Sequence, residues 1–115
     1  MLLELNDVSK HLGTFHMKNI NVSLSEGYIM GLIGPNGAGK TTLLHLILGL
    51  YRADAGSVRV AGHSYEESGR KIREQTGTVL LERLFDPGYT LRQNADCYGA
   101  YYSAYQPEIF LKYLE

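Results

Sequence analysis

Two stretches near the start of the chain alternate between apolar and polar residues. Leu3, Leu5 and Val8 mark one face of the first stretch, and residues 19–24 alternate strictly between the two classes. A period of two is typical of a strand with one buried face. Because Gly13 lies between the stretches, the pattern predicts two antiparallel strands joined by a turn.

An unbroken apolar segment at residues 28–33 predicts a central strand that is buried on both faces. A glycine-rich stretch follows directly, and apolar residues then recur at helical spacing over residues 41–50. The order of strand, glycine-rich loop and helix predicts an α/β fold. Further along, the pattern predicts a short strand at 57–60, a short helix at 70–75, a buried strand at 78–81, a helix at 91–105 and a last helix beginning at Pro107.

The composition is that of one small globular domain. The chain has 115 residues, of which 44% are apolar and 20% charged. A net charge of −1 argues against binding to nucleic acid. The single cysteine rules out an internal disulfide, and no apolar run approaches the roughly 20 residues of a membrane span. These features predict a cytoplasmic protein.

The glycine-rich stretch carries the candidate chemistry. Gly34, Gly39, Lys40 and Thr41 occupy the fixed positions of the phosphate-loop (Walker A) motif G-x-x-x-x-G-K-[ST]. Glycines bring the main chain close to a phosphate, so that successive amides and the start of the following helix bind its oxygens. The motif therefore predicts a site for a nucleoside triphosphate.

Each residue of the motif has an expected role. Lys40 supplies a cation for the β- and γ-phosphates, which makes it the candidate catalytic residue. The Thr41 hydroxyl is expected to ligate magnesium, and Thr42 to reach the α-phosphate. The predicted nucleotide-binding residues are Gly34, Pro35, Asn36, Gly37, Ala38, Gly39, Lys40, Thr41 and Thr42.

Residues 34–44, GPNGAGKTTLL, resemble the phosphate loop of the ATP-binding subunit of ABC transporters. The run GLY at 49–51, DAGSV at 54–58 and AG at 61–62 resembles the same family, and the resemblance extends over residues 2–102. It implies a P-loop NTPase-type core with an N-terminal antiparallel β-layer. In those terms residues 1–27 form the β-layer, 28–85 the phosphate-loop core and 86–115 the start of a helical subdomain.

The resemblance also implies a function. ATP with Mg²⁺ would bind to a subunit that couples hydrolysis to transport across a membrane. Its partners would be a membrane-spanning transporter subunit and a second ATP-binding subunit, with no nucleic acid, and it would lie peripherally at the inner face of the cell membrane. A soluble ATPase of the same superfamily that acts on nucleic acid or the ribosome, and a non-catalytic nucleotide-binding module, are the alternatives. The first interpretation is favoured because residues 89–94 resemble a segment of export-type subunits.

Two positions depart from the family pattern. Leu12 stands where the family has an aromatic residue that stacks on adenine, so the base contact comes from Leu12, His11 or Phe15. Glu82 follows the place where the family has a glutamine that contacts magnesium. Glu82 is either a substitute metal ligand or a solvated carboxylate at a strand end.

Three elements of the family are missing from this sequence. No signature motif, no strand ending in the metal-binding aspartate and water-activating glutamate, and no switch histidine are found. All three lie further toward the C-terminus in the family, so we expect a chain truncated before the signature and Walker B elements. A chain without a water-activating group is expected to bind ATP and hydrolyse it poorly or not at all.

Four tyrosines also suggest an interface. Tyr98, Tyr101, Tyr102 and Tyr105 have the spacing of one helix face. That face either packs against a core or, as the resemblance implies, contacts a transporter helix.

Overall fold

A computed structural model describes residues 1–79 and 85–114. The described chain separates into two compact units, Met1–Arg73 and Glu74–Glu115. The elements in chain order are β1 (Leu3–Leu12), β2 (Phe15–Leu24), α1 (Lys40–Ile47), β3 (Ala55–Val60), α2 (Tyr65–Glu74), α3 (Leu91–Gly99) and α4 (Pro107–Tyr113).

The first unit is built on a three-stranded antiparallel sheet with the order β2–β1–β3. The predicted pair β1 and β2 is confirmed, with the turn at Gly13 and Thr14. Leu5 lies opposite Val22 on one side and Val58 on the other, so apolar residues from all three strands share one face. The strand predicted at 57–60 is also present, and it extends this β-layer as β3.

Helix α1 covers the apolar face of this sheet. The predicted helix is confirmed, although it ends at Ile47 instead of residue 50. Its side chains Leu43 and Leu46 are buried with residues of β1 and β2 in one cluster, and Leu46 is only 1% exposed. The buried residues of that cluster are Leu3, Leu5, Val8, Met17, Leu43 and Leu46.

The prediction of a buried strand at 28–33 is wrong for this structure. The segment forms no strand, and Ile29 and Ile33 are 100% and 96% exposed. A central strand is stable only where neighbouring strands pair its N–H and C=O groups. The described sheet consists of β1, β2 and β3, and none of them pairs with this segment. Residues 78 and 79 are likewise not in a strand, and the rest of the strand predicted at 78–81 lies outside the described residues.

The helix predicted at 91–105 is shorter in the structure. It begins at a capping box in which Thr90 and Gln93 each bond the other's backbone N–H, and it ends at Gly99. The chain then turns back, so that the Tyr105 ring contacts Gly99 and its hydroxyl donates to Asp96 Oδ1 at 2.9 Å. This return contact is incompatible with one continuous helix.

The four tyrosines therefore do not form one helix face. Tyr98 lies on α3, whereas Tyr101, Tyr102 and Tyr105 lie in the connection that follows.

The last predicted helix is confirmed as α4, with Pro107 in its first turn. The helix predicted at 70–75 is longer than expected, since α2 already begins at Tyr65. None of the helices in the described parts of the chain has the length and apolarity needed to cross a bilayer.

The contrast between α1 and the exposed segment generates a stability prediction. Leu46→Ala should lower the free energy of unfolding by about 2–5 kcal/mol, because it removes a buried side chain and leaves a cavity. Ile29→Ala, which removes a similar aliphatic group from a fully exposed position, should change it by less than about 0.5 kcal/mol.

Urea unfolding of the 115-residue chain, followed by circular dichroism, measures both changes. Equal losses at Leu46 and Ile29 would contradict the exposure of the 28–33 segment.

Candidate functional site

The phosphate loop, residues 34–42, leads directly into α1. Gly39 caps the helix with φ 101°, a conformation that residues with a side chain rarely adopt. Gly39 also approaches another part of the fold closely, because a methyl group placed on it would lie 2.6 Å from Cζ of Phe15. The left-handed conformation favours glycine at position 39, and a side chain there would also displace the Phe15 ring.

The loop is curled by its own hydrogen bonds. Ala38 N donates to Pro35 O at 3.2 Å, which closes a turn before the helix. Lys40 Nζ donates to the carbonyl oxygen of Gly34 across the loop. Gly34, Pro35 and Ala38 therefore shape the loop, and Lys40 joins its two ends.

A hollow of about 470 Å³ lies at the start of α1. Six of the predicted nucleotide-binding residues line it together with one residue of β2: Asn36, Gly37, Gly39, Lys40, Thr41 and Thr42, with Phe15. Both threonines and the lysine come from the first turn of the helix. The hollow thus brings together amides, a cation and two hydroxyl groups.

The aromatic residue at this hollow is Phe15. Leu12 and Phe15 are direct partners at the end of the β1–β2 hairpin, so both lie on the same face of the sheet. Of the two, only Phe15 is among the described residues that line the hollow. His11 is engaged elsewhere, because its ring stacks on His16 at 4.1 Å and its Nε2 is 2.5 Å from Gly13 O.

Asp54 holds the hairpin in place beside the loop. Its carboxylate accepts from His11 N at 2.7 Å and from Lys10 Nζ at 3.3 Å, and its own N–H donates to Ser9 O. The hydrogen bond from His11 N, helped by Lys10, lowers the pKa of Asp54 below its ordinary value of 3.8. In the sequence, Asp54 stands out only as part of the run 54–58 that resembles the family. Its 43-residue separation from His11 left no local signal of this contact.

Comparisons with known proteins place this geometry in a family. The family model described as "ABC transporter" matches residues 17–115. The chain belongs to the ABC transporter ATP-binding family. The expected family is thereby confirmed.

Individual relatives of this ABC protein agree with the assignment. It is 35% identical over 101 residues to the Nod factor export ATP-binding protein I of Burkholderia lata, a match covering 87% of this chain and 33% of the relative. It is 35% identical over 94 residues to the uncharacterized ABC transporter ATP-binding protein YdbJ of Bacillus subtilis, covering 81% of this chain and 30% of that protein. The chain therefore spans about a third of the length of these relatives.

A solved structure agrees at the level of the fold. A protein described as the ATP-binding subunit of an ABC transporter superposes with a TM-score of 0.83 at 24% identity, over 94% of this chain and 45% of the other. The predicted α/β fold, a P-loop NTPase core behind an N-terminal antiparallel β-layer, is confirmed.

The ABC chain offers oxygen ligands for a metal at the hollow. Thr41 contributes a hydroxyl oxygen, the donor type that magnesium prefers. Glu82, the other predicted ligand, lies outside the described residues. Those residues contain no cluster of three or more His, Cys, Asp or Glu side chains that could hold a metal. The donor set suits a magnesium ion that takes most of its ligands from nucleotide phosphates and water, not one in a protein cage.

The Asp54 contacts predict a pH dependence. The pKa of Asp54 is lower in the folded chain than in the unfolded chain, so its contribution to stability is complete above pH 3.8. The contribution is lost as the pH falls through the lowered folded-state pKa. Asp54→Asn should therefore lower the midpoint of thermal unfolding near pH 6, and the difference from the wild type should shrink below pH 3.8.

Thermal unfolding of both proteins between pH 6 and about pH 2.5 measures this difference, with Glu26→Gln as a charge-matched control at an exposed turn. A gap between Asp54→Asn and the wild type that stays constant across the range would contradict the assigned role of the carboxylate.

Proposed function

We propose that this chain binds ATP with Mg²⁺ in the hollow at residues 34–42, as part of the nucleotide-binding subunit of an ABC transporter. The observation that carries the proposal is the convergence of Gly37, Gly39, Lys40 and Thr41 on one hollow at the start of a helix. Unpaired amides at a helix start, together with the helix dipole, attract an anion of the size of a phosphate group.

Each residue of the hollow has its own proposed role in binding the nucleotide. The Lys40 ammonium exchanges its contact with Gly34 O for the β- and γ-phosphates, where both partners are charged and the hydrogen bond is stronger. The Thr41 hydroxyl is placed to hold the metal, and Thr42 faces the same hollow to meet the α-phosphate. Bound magnesium neutralises phosphate charge. The protein supplies the orientation.

Phe15 is the residue proposed to contact the adenine base. Its ring lines the hollow beside Gly39, where it offers an aromatic surface to a base. Leu12, at the family's aromatic position, lies opposite Phe15 on the same face and adds apolar surface. The hairpin thus provides an aromatic contact three residues after the position where the family has it.

We propose ATP hydrolysis and transport for the whole protein and not for this chain alone. The described residues supply the phosphate loop, and the chain covers about a third of the curated relatives. The whole protein is proposed to dimerise with a second ATP-binding subunit and to join a membrane-spanning subunit at the inner face of the membrane. There ATP hydrolysis would drive transport.

Lys40→Ala tests the phosphate site. The substitution should abolish stabilisation by Mg-ATP without unfolding the chain, because it removes the main phosphate cation. At an ATP concentration of about 100 times Kd the wild type should gain about 2.7 kcal/mol of stability. A thermal-shift titration measures the effect, and Lys18→Ala, an exposed lysine of β2, is the matched control. Equal stabilisation of Lys40→Ala and the wild type would refute the site.

Phe15→Ala tests the base contact. Loss of one base-stacking ring should weaken ATP binding by roughly 5- to 100-fold. Affinity for tripolyphosphate, which has no base, should change by less than about twofold. Isothermal titration with both ligands gives the comparison, and Lys18→Ala, at an exposed position of β2 outside the hollow, is the control. A similar loss for both ligands would show that Phe15 acts through the shape of the loop and not through the base.

A further inference from the structure

A second cavity, of about 370 Å³, lies in the first unit away from the phosphate loop. It is bounded by the far part of α1 at Leu46 and Gly49, by β3, and by the start of α2. The nucleotide hollow lies at the opposite end of α1, at Lys40. An eight-residue helix is about 12 Å long, so the two cavities are separate sites.

Positive charge dominates this second cavity. Its lining includes three arginines, Arg52, Arg59 and Arg73, and one acidic residue, Glu66. We call it the arginine cavity. Glu66 is already close to Arg52, with Oε1 and Nε 3.8 Å apart. Within the described chain, neither Arg59 nor Arg73 has a carboxylate within 4.0 Å. Two of the three arginines that line the cavity therefore have no carboxylate partner among the described residues.

The arginines are held by contacts that leave donors available. Arg59 uses Nη1 to donate to Gly62 O at 3.1 Å, and within the described residues this bond leaves the other N–H groups of its guanidinium available. Arg73 lies over the ring of Tyr65, with 5.6 Å from Cζ to the ring centroid. A guanidinium stacked on a ring keeps its edge N–H groups free for an anion.

Two tyrosines form walls of the cavity. Tyr65 donates its hydroxyl to Ile47 O at 2.8 Å, and burial raises its pKa, so the hydroxyl stays protonated. Its ring also fills the space beside Gly49, where any side chain would collide with it. Tyr51 forms a second wall, and its ring meets His45 edge-on at 5.0 Å. Because these contacts hold Tyr65, little reordering of its ring is needed when a small ligand binds, which lowers the cost of binding.

We infer that the arginine cavity binds a small phosphate-bearing anion at a site distinct from the nucleotide hollow. Arginine forks match the geometry of phosphate oxygens, and two arginines that line one cavity without a carboxylate partner favour a multiply charged anion. The volume lies within the range of small-molecule sites and exceeds that of a single phosphate group. The aromatic walls favour a phosphate ester over free phosphate. This inference does not rest on the proposed ATP site.

Nuclear magnetic resonance of the ¹⁵N-labelled chain tests the inference, because it reports on each cavity separately. The probes are inorganic phosphate and glucose 6-phosphate, added at constant ionic strength with chloride as the reference anion. The reporters for the arginine cavity are the amides of Gly49, Gly56, Ser57 and Ser64, and those for the phosphate loop are Gly37 and Gly39.

Both probes should shift the resonances of the arginine-cavity amides in a saturable manner. Tighter binding of glucose 6-phosphate than of inorganic phosphate identifies a phosphate ester as the ligand class. Equal affinity for the two probes identifies free phosphate. In the double variant Arg59→Gln, Arg73→Gln the affinity at these amides should fall roughly tenfold or more, because two charge-assisted hydrogen bonds are lost. The single variants should each show part of the loss.

The phosphate-loop amides serve as the internal control. Their response should be unchanged in the double variant, which shows that the fold is intact, and Arg92→Gln on α3 should behave as the wild type at both sites. Lys40→Ala should remove the phosphate-loop response and leave the arginine cavity unaffected. Wild-type shifts that match those caused by chloride, or a full response in the double variant, would overturn the inference. Loss of the phosphate-loop response alone would count only against the ATP site.

Discussion

The packing of α1 on the three-stranded sheet is the contact on which the rest of the first unit depends. An isolated eight-residue helix is not stable in water, because the cost of its first turn is recovered only over a longer helix or by packing. Here Leu43 and Leu46 provide that packing by joining Leu5 and Val8 in one buried cluster. This packing fixes the position of α1. The start of the helix borders the nucleotide hollow, and its far end borders the arginine cavity.

The start of α1, where we propose that the phosphates bind, is held in shape by contacts from three directions. Gly39 takes a left-handed conformation, Phe15 lies against it from the hairpin, and Lys40 reaches back to Gly34. The hairpin is tied in turn to the connection before β3 through Asp54. A loop that is already curled loses little further conformational freedom when a phosphate enters, so more of the interaction energy remains as affinity.

The sequence allowed the local features to be predicted, and long-range contacts determined the others. Alternation identified β1 and β2, and motif spacing identified the phosphate loop, since both signals lie within a few residues. The extent of α3 depended on Tyr105 returning to Gly99, a contact that helical spacing does not contain. Leu12 and Phe15 are cross-strand partners on one face, so alternation alone could not decide which of them reaches the hollow.

The phosphate loop of this structure is curled although the segment before it, residues 28–33, is exposed and forms no strand. The family resemblance predicts the curled loop and the strand together. The order of strand, loop and helix in the sequence pattern predicts a buried strand there that leads into the phosphate loop. In the structure the segment is exposed, yet the loop after it is still curled and lined by its expected residues. The contacts that curl it come from α1, from the hairpin and from within the loop itself. It follows that the shape of the proposed phosphate site depends on the packing of α1 and the hairpin, and that pairing of the preceding segment would add stability to the core without creating the hollow.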